Sequence, residues 1–137
     1  SENAPVISEV ELLKAMVRDD VVSGYKVSRV SEPISSKQNS ANVELIRIYR
    51  GSPFNGYVFK VTNTSWKKNV DVDARHITVG EPNLAILSQS DDPVIFPKGK
   101  GVHQTLVRVV AKNTASSRDV ILAMEAEEPQ ANSKKGD

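Results

Sequence analysis

Residues 46–65, IRIYRGSPFNGYVFKVTNTS, decide the fold class. Two runs rich in β-branched and aromatic residues flank the turn formers RGSPFNG, which is the pattern of strand, turn and strand. In the second run Tyr57, Phe59 and Val61 share one face while Lys60 lies opposite, the period of two that a strand imposes.

The same texture runs through most of the chain. Strands are predicted at 25–30, 43–49, 56–63, 70–74, 84–87, 94–96, 104–111 and 120–127. SSKQNSAN, RGSPFNG, SQSDDP, PKGKG and KNTASSRD, all dense in turn formers, punctuate them. Thr105, Val107 and Val109 oppose Arg108 and Lys112, so one face of that strand should meet a core and the other water. Ahead of the strands, Ser8 and Glu11 have capping-box spacing, and Ile7 and Leu12 are placed to close a hydrophobic staple. Val10, Leu13 and Val17 then fall on one helical face with Leu12 and Met16 beside them, a stripe expected to dock on the rest of the domain. This helix should end near Asp19 and Asp20, with Gly24 as the break. The pattern predicts an all-β, antiparallel β-sandwich of immunoglobulin-like size preceded by one short N-terminal α-helix. Residues 1–23 would form the helix and linker and 24–128 the sandwich; 129–137, within the polar run EEPQANSKKGD, would form a disordered tail.

Composition narrows the function classes. The 137 residues, 39% of them hydrophobic, suit one core, and 18 basic against 17 acidic side chains give a net charge of +1, without the basic excess of a nucleic-acid binder. The absence of cysteine excludes a disulfide scaffold, a thiolate metal site and a cysteine nucleophile. No run approaches the roughly 20 apolar residues of a membrane-spanning helix. SENAPVIS lacks the features of a signal peptide, one of which would have been removed before Ser1 in an exported protein.

The candidate chemistry is thin. In VDVDARH, residues 70–76, Asp71, Asp73 and Arg75 share one strand face while Val70, Val72 and Ala74 share the other, as in a solvated strand. His76 falls on the valine side, so the ligand count of a metal site is not reached, and the alternation should break between Arg75 and Ile77. His103 is the only other histidine, and no G-x-S-x-G elbow is present. PKGKG lacks phosphate-loop spacing. The sequence therefore predicts no enzyme, no cofactor and no metal. Trp66, followed by Lys67 and Lys68, is either a core-edge aromatic covered by lysine stems or an exposed anchor for a partner protein.

Three segments together resemble a known family. LLKAMVRDDVVSGYKV (12–27), IRIYRGSPFNGYVFKVTNTS (46–65) and GEPNLAILSQSDDPVIFPKGKGVHQTLVRVVAKN (80–113) are similar to the C-terminal domain of TraK, the ring-forming outer-membrane core protein of F-type conjugative type IV secretion systems. The resemblance implies a periplasmic protein at the outer membrane of a Gram-negative bacterium. It would assemble as a homo-oligomeric ring and bind an outer-membrane lipoprotein and a periplasm-spanning core subunit. Its β-sandwich would engage the lipoprotein by strand addition at a sheet edge or by filling a groove. Trp66 and Lys67, the strand carrying Thr105, Val107 and Val109, and the helix stripe of Val10, Leu13 and Val17 are the expected contact residues, the last toward an adjacent copy. The rival reading is a free-standing immunoglobulin-like binding module of adhesin, chaperone or carbohydrate-binding type. A third is a small enzyme or metal protein built around Asp71, Asp73 and His76.

Overall fold

A computed structural model of the chain describes residues 6–34, 41–72 and 85–114. The order is α1 (Glu9–Arg18), β1 (Lys26–Ile34), β2 (Ala41–Arg50), β3 (Phe54–Asn63), β4 (Val70–Asp71), β5 (Ala85–Ser90), β6 (Val94–Ile95) and β7 (Gln104–Lys112). The fold is all-β with one short helix. A five-stranded antiparallel sheet has the order β1-β2-β3-β7-β5, and β4 and β6 form a second, two-stranded sheet.

The alternation in β3 sets the layering. Tyr57, Phe59 and Val61 register against Val109, Val107 and Thr105 of β7. With Leu45 and Ile48 of β2, they form one core with Val70 and Ile95 of the small sheet. The bulge between Leu45 and Arg47 changes the face sequence of β2, so that Ile48 joins this core while Tyr49 turns to the other. On that other face Tyr49, Val58 and Val110 pack against Leu12 and Met16 of α1. The central strands are thus covered on both sides, and Arg108, expected to face water, is buried instead.

Helix α1 begins where the capping box predicts, with Ser8 Oγ accepting from the Glu11 amide at 3.1 Å. It ends at Asp19, which takes the left-handed C-cap conformation at φ 59°. The acid is tolerated at the negative helix end because Arg47 of β2 pairs with it at 3.0 Å. The expected stripe is turned around: Leu12 and Met16 face the sheet, whereas Val10 and Val17 are exposed and Leu13 is half-buried. At 100° per residue these two sets lie roughly 110° apart, and the sheet takes the one with the longer side chains.

Close approach of helix and sheet depends on Gly56, where an added Cβ would lie 2.5 Å from Met16 Sδ and 2.9 Å from its Cε. Because Met16 is fully buried, it has no open side to retreat to. Gly56→Ala is expected to cost about 1–3 kcal/mol by overpacking, measured by urea unfolding. A change below about 0.5 kcal/mol would show that the helix seat yields freely.

Most predicted strands are found, with shifted ends. The first runs on through Pro33 after a bulge between Arg29 and Glu32, and the fifth lies at Ala85–Ser90 rather than 84–87. β4 spans Val70–Asp71, short of the expected 70–74, with Val72 already outside the strand; the expected strand at 120–127 lies outside the described residues, as does the tail.

Candidate interaction surfaces

Asn63, the last residue of β3, organises one end of the molecule. Its side chain is fully buried. The amide nitrogen donates to Lys68 O at 2.8 Å and Ile95 O at 3.2 Å, while its oxygen accepts from the Ser65 amide at 2.8 Å. One side chain therefore ties the end of the large sheet to the following turn and to β6. Ser65 Oγ then accepts from the amides of Lys67 and Lys68 at 3.0 and 2.9 Å, and Ser65 O accepts from Lys98 N at 3.2 Å.

The turn so closed throws Trp66 outward, 68% exposed. The Lys98 ammonium stands 5.2 Å from its ring centroid, a cation–π contact. Lys98 belongs to the PKGKG bend, where Lys100 N donates to Pro97 O at 3.0 Å and Phe96 N to Val102 O at 2.7 Å. Gly99 and Gly101 take φ of 79° and 151°, and a Cβ on Gly101 would press within 3.2 Å of the Phe96 ring. Phe96 is 42% and Val102 51% exposed. Trp66, Phe96 and Val102 thus stand on two adjoining turns edged by Lys67, Lys68, Lys98 and Lys100.

The second surface is the outer side of α1. Val10 and Val17 are exposed along it, Val6 and Val21 are exposed just outside its two ends, and Leu13, Lys14, Val17 and Arg18 line a shallow depression. No helix among the described residues is long and apolar enough to cross a membrane.

The expected sites fare unequally. Trp66 and Lys67 are exposed, so Trp66 is no part of the core edge, and the lysine over its ring is Lys98 rather than a sequence neighbour. Thr105, Val107 and Val109 are buried in the core. Their strand, β7, is hydrogen-bonded to β3 on one side and β5 on the other, so it offers no edge for strand addition. Thr105 Oγ1 donates to Asp92 Oδ2 and accepts from Asp92 N, both at 3.0 Å. In VDVDARH the start follows the strand reading: Val70 is buried, Val72 half-buried and Asp71 exposed. Asp73, Arg75, His76 and Ile77 lie outside the described residues. Among the described residues no group of three or more histidine, aspartate or glutamate side chains is placed to hold a metal.

Two organising residues escaped the sequence reading. Asn63 carried a signal in the V-x-N ending of β3, whereas Arg108 looked like any solvent-facing base. Arg108 Nη1 meets Asp91 Oδ1 at 2.6 Å and Gln89 Oε1 at 2.9 Å. Burial pushes the Asp91 carboxyl up, but hydrogen bonds from Gln89 and Arg108 and the Arg108 charge outweigh it and hold its pKa below the ordinary value. Comparison with protein-family models, with curated proteins and with solved structures finds no match.

Proposed function

We propose that this domain is a structural, protein-binding subunit of a type IV secretion or conjugation outer-membrane core, working in the periplasm, where it docks a lipoprotein and neighbouring copies of itself. The observation that carries the reading is the outer side of α1. Val10 and Val17 expose apolar surface along a helix whose other side is already spent on the sheet, and Val6 and Val21, just outside its two ends, are exposed as well. Several exposed apolar side chains gathered on and beside one helix of a small domain mark an interaction surface rather than a packing remainder. A second copy in a ring, whose contacts repeat around a closed symmetry, is the occupant this reading assigns. The resemblance of three segments to TraK supports the setting, and with β7 closed on both sides the lipoprotein contact must use another surface.

Val10→Glu combined with Val17→Glu tests it in the full-length protein in its host. Both positions are exposed, so stability should change by no more than about 1 kcal/mol. Ring-sized assemblies recovered from the membrane fraction should fall at least about tenfold, the effect of losing a central apolar contact. Assemblies of unchanged yield and size would overturn the reading, as would failure of the parent protein to co-purify with any outer-membrane lipoprotein.

A further inference from the structure

We infer that the paired turns carrying Trp66 and Phe96 form a peripheral contact for an anionic phospholipid surface. The inference stands apart from the proposed ring subunit and rests on different residues.

Charge is the first ground. The near-zero net charge conceals segregation: the sequence holds no aspartate or glutamate between Leu45 and Val70, nor between Pro93 and Arg118. Both turns belong to these acid-free stretches, so Lys67, Lys68, Lys98 and Lys100 edge the aromatic patch with no carboxylate among them. Among the described carboxylates near these stretches, Glu44 pairs with Lys60 and accepts from the Ser31 hydroxyl, Asp91 pairs with Arg108, and Asp92 accepts from the Thr105 hydroxyl. Clustered lysines beside apolar side chains are attracted by anionic headgroups, and their long stems let ammonium and apolar surface reach different depths.

The second ground is the kind of apolar group exposed. Tryptophan favours the headgroup boundary, where a large apolar ring can sit beside water, and Phe96 and Val102 extend the same surface.

The third ground separates a lipid layer from an acidic polypeptide. An extended peptide is held chiefly by main-chain hydrogen bonds at an open edge or groove. Here the turn amides of Ser65, Lys67, Lys68, Phe96, Lys98 and Lys100 are already satisfied within the protein. The turns offer side chains on a fixed backbone and few free main-chain groups, which suits a fluid charged surface better than an ordered chain.

Trp66 is the only tryptophan, so its emission reports on this patch alone. The protein is titrated at low ionic strength with vesicles of mixed phosphatidylglycerol and phosphatidylethanolamine, with phosphatidylcholine vesicles, and with soluble polyglutamate. The inference expects a blue shift and quenching by brominated acyl chains with the anionic vesicles only, weakening as salt is raised. Phe96→Ser, which keeps the reporter, should weaken partitioning about tenfold. Lys67→Gln with Lys100→Gln should weaken it by about tenfold or more. Vesicle sedimentation of the unaltered protein supplies a readout that depends on no variant. Absence of both shift and sedimentation with anionic vesicles would overturn the inference. An equal shift with polyglutamate would replace it with an acidic protein partner.

Discussion

Asn63→Ala should cost about 3 kcal/mol, a large effect for a residue that carries little apolar surface. The side chain is fully buried and makes three hydrogen bonds to backbone groups of three different residues. Alanine leaves the carbonyls of Lys68 and Ile95 and the amide of Ser65 without that partner. Each buried polar group so stranded costs about 1–3 kcal/mol, reduced wherever the turn can open to water. The Trp66 turn has such freedom on its outer side, whereas Ile95 is fully buried and has less. Urea unfolding supplies the stability, and the emission of Trp66 in the folded baseline reports whether its turn has loosened. Asn69→Ala, at an exposed position in the same turn, should stay within about 0.5 kcal/mol. If the two variants prove equally mild, Asn63 is not the tie between the sheets, and the order of the lysine-edged patch must come from elsewhere.

The contrast between these asparagines shows what a sequence discloses. β3 was legible because Tyr57, Phe59 and Val61 alternate with Lys60, and a period of two needs no knowledge of the partner strand. The helix start was legible because Ser8 acts three residues away, within one turn. Which side of that helix packs was not. Val10, Leu13 and Val17 are as apolar as the Leu12 and Met16 face, and the choice was made by the sheet, where Gly56 leaves room for Met16. Strand order is similarly non-local. β7 alternates much as an edge strand would, yet β5 pairs with its free side and buries Thr105, Val107 and Val109. Of the candidate surface, Trp66 and Lys67 could be picked out singly. Their union with Phe96, Lys98 and Val102 required the tie from Asn63 to Ile95, some thirty residues distant in the chain.

The middle of β7 gives the second large effect. Asp91→Ala should destabilise the domain by about 2–4 kcal/mol, whereas Arg108→Met should stay within about 1 kcal/mol of the parent. The asymmetry follows from burial: the side chain of Arg108 is 7% exposed and that of Asp91 40%. Removing the carboxylate leaves a guanidinium inside the protein with Gln89 as its remaining partner and an Nε that makes no hydrogen bond among the described residues. Removing the guanidinium leaves a carboxylate that water already reaches, and methionine fills the space on the face where Val58 and Val110 pack. Acid titration separates the two further. Because the Asp91 pKa lies below its ordinary value when folded, its stabilising contribution is complete above the unfolded value of about 3.9. It is lost as pH falls through the lower folded value, where the folded state must take up a proton against the Arg108 charge. Glu44, held down by its hydrogen bond from Ser31 and by Lys60, titrates in the same acid range in both proteins and cancels from the comparison. Arg108→Met should therefore lose less stability than the parent between pH 5 and pH 2, a span set to bracket that reference value. A methionine variant as acid-sensitive as the parent would mean that Arg108 does not hold the Asp91 pKa down, and one less stable than Asp91→Ala would mean that the pair stabilises the sheet outright, rather than answering a charge that the helix-covered face had to bury.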